Sequence, residues 1–317
     1  MKHKTYKCTD ETYQHTCTAF PARGTAIAVV CAVCVICYAH TSCALNLPDA
    51  PFQMEKELSD FLDSQPYEIG FYAKVLGEKK TVERFEERSV CLASMVKLFC
   101  LTELYRQKHE QGLDLARKIE VAGRGEISLK EAADLMIGES DNPATYALAA
   151  LLGWDNVNKI PSLLSIDTMS PEILPEERVL RQTLDKRIAG NRIAEANLPQ
   201  HGTATGMVEY LELLLNKKVF SEAISEDIIA FLTAHPRPYS TCYAGKCEIA
   251  GKGGNILWTR PPKHFSMMGW AVFVKMPSGC CIVLCVWGEW FPETMPPEQQ
   301  TEFLRYVTDC ILSLLDN

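Results

Sequence analysis

Apolar and polar positions along this 317-residue chain fall into distinct rhythms, and each rhythm predicts an element. From Pro51 to Leu62, Phe52, Leu58, Phe61 and Leu62 stand among charges at helical spacing behind a proline suited to a first turn, which predicts an amphipathic helix. Tyr67–Leu76 reads as a strand, Gly77-Glu-Lys-Lys as a turn and Thr81–Glu87 as a second, more polar strand of a hairpin. The run Cys91–Cys100 differs. Leu92, Ala93, Met95, Val96, Leu98, Phe99 and Leu101 are apolar nearly all round a helix, the mark of a buried one, and the pattern ends near Gln107.

A helical stretch follows. Ser128-x-x-Glu131 is a capping box ahead of Ala132–Ile137, which stops at Gly138. Ser140-Asp141-Asn142-Pro143 reads as a polar turn, with Pro143 disfavouring helical geometry at Asn142 and Asp141 capping its own turn. Helices are predicted over Ala144–Leu152, over Gly206–Leu215 behind Thr203, and from Ser221 to Ala234. Between Lys159 and Gln200, Pro161, Pro171, Pro175 and Pro199 among charges predict a long irregular connection, with one helix around Glu176–Leu184.

The last third returns to strands over Lys246–Gly254, Phe265–Val274 and Gly279–Trp287, and Pro296 opens an amphipathic helix through Leu315. Strands at both ends with helices between predict an α+β fold. One five-stranded antiparallel sheet would be built from both termini and flanked by helices, with an inserted all-α part. The α/β part is placed at about 45–90 and 236–317, and the all-α part at about 91–235.

Composition adds constraints. Charged residues make up 23% of the chain and the net charge is −8, with basic residues scattered, which argues against nucleic acid as partner. Lys2, Lys4, Lys7 and Arg23 precede the uncharged run Ala26–Ala39, a basic n-region before a secretory h-region too short for a confident membrane span. Ser42-Cys43-Ala44 offers a cleavage point that would leave Leu45 as the new N-terminus. Residues 1–44 are therefore expected to be a signal peptide or an N-terminal anchor, with membrane contact only through this leader if it is uncleaved or lipidated at Cys43. The protein is expected to be exported, either periplasmic or anchored on the outer side of the inner membrane, and monomeric.

Of the 14 cysteines, Cys91, Cys100, Cys242, Cys247, Cys280, Cys281, Cys285 and Cys310 follow the leader. Their even number permits disulfides in an exported protein without fixing a pairing. Cys242-x4-Cys247 with Cys280-Cys281-x3-Cys285 raises zinc, but Cys281 and Cys285 share parity in an apolar strand, so core packing is preferred and no metal is expected. His109, His201, His235 and His264 show no triad or metal spacing. Ala250–Gly254 lacks the upstream glycine and the hydroxyl residue of a P-loop.

The chemistry begins at Ser94-x-x-Lys97, the one hydroxyl and one amine inside the apolar run. Three residues apart on a helix they share a face, about 5–6 Å between Cβ atoms, and a buried lysine loses stabilisation of its charged form and can act as a base. Two further islands follow in order: Ser140-Asp141-Asn142, and Lys252-Gly253-Gly254 at a strand end.

Together with the strand order, these motifs resemble the serine β-lactamase and penicillin-binding-protein superfamily, and class A β-lactamases most of all, over about residues 55–317. The resemblance implies an acyl-enzyme formed at Ser94 by a β-lactam or a peptidoglycan-derived peptide, with Lys97 as activating base and no cofactor. It further implies that Ser140 relays a proton to the leaving nitrogen with help from Lys252, and that Lys252 faces the substrate carboxylate. Asn142 would bond the substrate amide and Lys97, and the N–H groups of Ser94 and of Asn255, next to Gly254, would form the oxyanion hole. Arg237 or Arg260 would add to the carboxylate site, with Arg237 preferred.

Two departures stand out. Gly253 replaces a hydroxyl residue, removing a hydrogen bond to a charged group worth about 1.5–3 kcal/mol. The Glu-x-x-Leu-Asn signature that carries the deacylating glutamate is missing: Glu172, Glu176, Glu177 and Glu195 lie in the region, but none stands in that motif. The alternatives to a hydrolase are therefore a D,D-peptidase or penicillin-binding enzyme with slow deacylation, and a non-catalytic domain binding peptidoglycan or protein.

Overall fold

The computed structural model describes residues 50–173, 199–243, 245–258, 265–290 and 295–316. The leader, the helix expected at Glu176–Leu184, Glu176, Glu177, Glu195, Arg260 and His264 lie outside the described residues. Residues 51–317 form one compact unit. Among the described residues no helix is long and apolar enough to cross a membrane.

Helix α1 (Ala50–Asp63) leads into strand β1 (Glu68–Val75), which hairpins to β2 (Thr81–Arg84). A short 3-10 turn, Ala93–Val96, runs into α2 (Lys97–Gln111), which continues past the expected end to Gly112. That glycine stands at φ 68°, the left-handed closure that glycine adopts without steric cost. A ribbon of Lys118–Val121 with Gly125–Ser128, absent from the periodicity, precedes α3 (Leu129–Asp134). The Ser128–Glu131 capping box forms as predicted.

Helix α4 (Asn142–Leu152) begins at Asn142, correcting the expectation that Pro143 keeps this residue out of the helix. Asp141 overrides the local preference. Its side chain caps Ala144 N–H, and its carbonyl accepts from Thr145 Oγ1 at 2.7 Å. Two short helices, Trp154–Asn158 and Ile160–Leu163, occupy the start of the stretch read as irregular. Helices α5 (Ala204–Leu215) and α6 (Glu222–Thr233) follow, capped by Thr203 and Ser221.

Strands β3 (Glu248–Trp258), β4 (Phe265–Lys275) and β5 (Cys281–Trp290) then complete a five-stranded antiparallel sheet in the order β2-β1-β5-β4-β3, and α7 (Pro297–Asp316) closes the chain. The fold is α+β, with the sheet drawn from both ends of the sequence. Helix α5 packs on β1, β4 and β5, as does α7. One apolar core joins the helical layer to the sheet through Ala250, Ala271, Phe273, Val283, Cys285 and Trp287. β3 is an edge strand, and it packs against the turn holding Ser94.

Candidate active site

Ser94 sits in the 3-10 turn, half-buried between fully buried neighbours, and its hydroxyl makes no hydrogen bond to a described residue. The residue before it, Ala93, is held at φ 46°, a left-handed conformation that costs an L-residue energy and persists only where packing enforces it. The packing partner is Gly254. A Cβ there would stand 2.4 Å from Leu92 O, 2.9 Å from Ser94 N and 3.0 Å from Met95 N, so only glycine lets β3 approach this backbone.

Lys97 begins α2, one turn on. Its buried Nζ donates to Ser140 O at 2.6 Å, Ser140 Oγ at 3.3 Å and Asn142 Oδ1 at 2.8 Å. Burial pushes its pKa down to about 8, against the opposing pull of Asp141. Among the described residues the carboxylate acting on it is that of Asp141.

The loop carrying Ser140 is built to present it. After α3 the chain makes a π-helical turn, Leu135–Glu139, with Met136 and Ile137 buried, and Ser140 closes it at φ 60°. Asp141 N–H bonds back to Leu135 O at 3.1 Å, and Arg124 clamps the Asp141 carboxylate at 2.7 Å. Burial works against ionisation of Asp141, but the Ala144 N–H and Arg124 outweigh it and hold the carboxyl below its usual range.

Lys252 reaches the same hydroxyl from β3. Its Nζ donates to Ser140 Oγ at 3.0 Å and to Gly253 O at 2.7 Å. Burial, then the charges of Lys97 and Arg237, push its pKa well below the ordinary lysine value. With two amines donating to Ser140 Oγ, that hydroxyl's own proton is left to point elsewhere.

Gly253 presents its carbonyl to Lys252 Nζ, so its backbone polar groups face away from β4, with the Tyr239 ring alongside. The two-residue period of a strand turns the Asn255 N–H to the same open edge. A cleft of about 240 Å3 opens there, lined by Ser140, Arg237, Tyr239, Lys252, Gly253 and Asn255 among others. The exposed Arg237 guanidinium makes no hydrogen bond or ion pair with a described residue.

The fold thus brings Ser94, Lys97, Ser140, Asn142, Lys252, Gly254 and Asn255 to one edge of the sheet, with Arg237 beside them. The motif pattern does not single out Arg124 or Tyr239; the only sequence signal for Tyr239 is its position two residues after Arg237. Glu172 is at φ 37° in the long connection. Among the described residues no three His, Cys, Asp or Glu side chains converge on a metal site. Among the described residues Cys91, Cys100, Cys247, Cys280, Cys281 and Cys285 stand as thiols, and burial pushes those of Cys91, Cys100 and Cys285 up to about 12.

A model of the beta-lactamase enzyme family matches residues 53–286. Among solved structures the chain is similar to TLA-1 extended-spectrum beta-lactamase, at 11% identity over 83% of this chain and 98% of that one, with TM-score 0.69. It is similar to the class A beta-lactamase from Mycobacterium abscessus, at 16% identity over 82% and 98%, with TM-score 0.65. A class A representative from Bacteroides cellulosilyticus gives 16% identity over 83% and 98%, with TM-score 0.66. At these identities the likeness is one of fold. No curated protein sequence matches.

Proposed function

The chain belongs to the beta-lactamase enzyme family, serine hydrolases that act on amide bonds, and from that premise we propose that it is acylated at Ser94 by a β-lactam or a related cell-wall acyl-peptide. The observation that carries the proposal is the convergence of two depressed lysines on one serine hydroxyl beside a nucleophile with no hydrogen bond to a described residue.

In the reaction, neutral Lys97 takes the Ser94 proton as Oγ attacks the substrate carbonyl. Its pKa, about 8, leaves an appreciable neutral fraction at neutral pH and a base strong enough for the transfer. The carbonyl oxygen gains negative charge against the N–H groups of Ser94 and Asn255, held close by the contact at Gly254. As the C–N bond breaks, Ser140 passes its free proton to the leaving nitrogen and is resupplied by Lys252 or Lys97. Asn142 anchors Lys97 and offers its amide to the substrate side chain. Lys252 and Arg237 face the substrate carboxylate across the cleft. The leader pattern supports export, to the compartment where such substrates occur.

A second reading, slow release of the acyl group as in a penicillin-binding enzyme, is favoured by the missing Glu-x-x-Leu-Asn signature and, among the described residues, by the identity of the acid that acts on Lys97. Asp141 is committed to Arg124 and Ala144 and is poorly placed to activate water. A chromogenic cephalosporin separates the two. Many turnovers per enzyme support the hydrolase and a single burst supports trapping. No colour change at all would sink both readings for this substrate class.

A further inference from the structure

We propose that Tyr239 is a specificity-determining residue, its phenol hydroxyl donating to the free carboxylate of the substrate in the place left open by Gly253. The inference rests on the acylation reading for the substrate's identity. It arises from a mutual fit between a missing side chain and a bulky one.

A Cβ at Gly253 would lie 3.2 Å from Tyr239 Cε1 and 3.6 Å from its hydroxyl oxygen. The phenol therefore fills the space into which any side chain at Gly253 would grow. It is also fixed there. The ring is buried and packs on Trp270 with centroids 5.5 Å apart. Tyr239 N–H bonds Arg237 O at 2.9 Å. On either side the loop is tied to α7: Arg305 Nε donates to Pro238 O at 2.6 Å, and the Asp309 carboxylate accepts from Ser240 Oγ, Thr241 N–H and Cys242 N–H.

The direction of hydrogen bonding then matters. No described residue receives the Tyr239 hydroxyl proton, so that proton remains to be given. Burial pushes the phenol up to about 12, which keeps that proton in place throughout the working range. The cleft it lines also holds Lys252 and the guanidinium of Arg237, which is unpaired among the described residues. One neutral O–H donor flanked by a lysine amine and a guanidinium is a receptor for an anionic oxygen, and a carboxylate offers two lone-pair oxygens to such a set.

The test uses the full-length protein, with Tyr239→Phe to delete the hydroxyl while keeping the ring against Trp270. Binding of benzylpenicillin and of its methyl ester is measured by calorimetry in Ser94→Ala protein, with and without Tyr239→Phe. Acylation of the Ser94 protein is followed separately by mass. The expected result is roughly tenfold or greater weakening of penicillin binding with little change for the ester. Equal effects on both ligands, or none on either, overturn the inference even if Ser94 is acylated. A carboxylate-selective loss without any adduct would sustain the anion site and remove the acylation reading. No binding of penicillin and no adduct would remove both.

Discussion

Replacing Gly254 by alanine tests how closely β3 and the Ser94 turn are matched. The added methyl would lie 2.4 Å from Leu92 O, 2.9 Å from Ser94 N and 3.0 Å from Met95 N, and all three are backbone atoms that cannot rotate away. Ordinary contact starts near 3.4 Å, so the strand and the turn must part by about 1 Å on the Leu92 side. The hydrogen bond of Met95 N–H to Leu92 O, 3.0 Å long, closes the same turn and would be strained with it. Overpacking of this kind costs about 1–3 kcal/mol of stability. The larger effect falls on chemistry. An oxyanion donor misplaced by about 1 Å can cost on the order of 100-fold in rate. Stopped-flow acylation by a chromogenic cephalosporin, with urea unfolding on the same preparation, reads both numbers. A Gly254→Ala enzyme that acylates within about threefold of the parent would refute the argument that this contact sets the catalytic geometry.

Two further outcomes are expected. Acylation should rise with pH about tenfold per unit below pH 8 and level off above it, because Lys97 must shed its proton and does so near 8. The same depression means the folded state holds that proton less tightly than the unfolded chain. The resulting penalty is fully present below pH 8 and is relieved as pH climbs from 8 towards the ordinary 10.5, an increase of about 3 kcal/mol from this group. A stability profile that falls across that window in Lys97 protein relative to Lys97→Met would contradict the burial-driven shift. Ser128→Ala should lose the capping box ahead of α3 at a cost of about 1 kcal/mol, seen in urea unfolding, with acylation per folded molecule unchanged.

Elements with strong periodicity or explicit caps were legible before any coordinates. The Ser128 box, the Thr203 cap, the helix from Ser221 and the apolar strands all formed near their expected bounds. Where the sequence misleads, tertiary pairing supplies what local pattern lacks. β3 runs on past Gly254 to Trp258 because every residue has a partner on β4, although Lys252–Gly254 looks like a strand end. The Lys118–Ser128 ribbon is short and polar, with no alternation to betray it. Ala93–Val96 is a 3-10 turn, not an α-helical one, and its left-handed Ala93 reflects packing against a strand more than a hundred residues away.

The candidate site divides in the same way. Ser94, Lys97, Ser140 and Lys252 carry motif spacing and functional groups, so they can be named in advance. Arg124, which clamps Asp141, and Asp309, which ties down the Tyr239 loop, act through partners distant in sequence. Gly253 reads in isolation as a lost hydroxyl. Only the fold reveals that a phenol occupies the vacated volume.

The central claim is that Ser94 forms the acyl bond. Intact-mass spectrometry of the folded protein after incubation with a penicillin tests it directly. The expected result is a mass increase equal to the whole penicillin, present in the parent and absent in Ser94→Ala. An unchanged parent mass at every time point, with cephalosporin left unhydrolysed, or an adduct that survives Ser94→Ala, would contradict it.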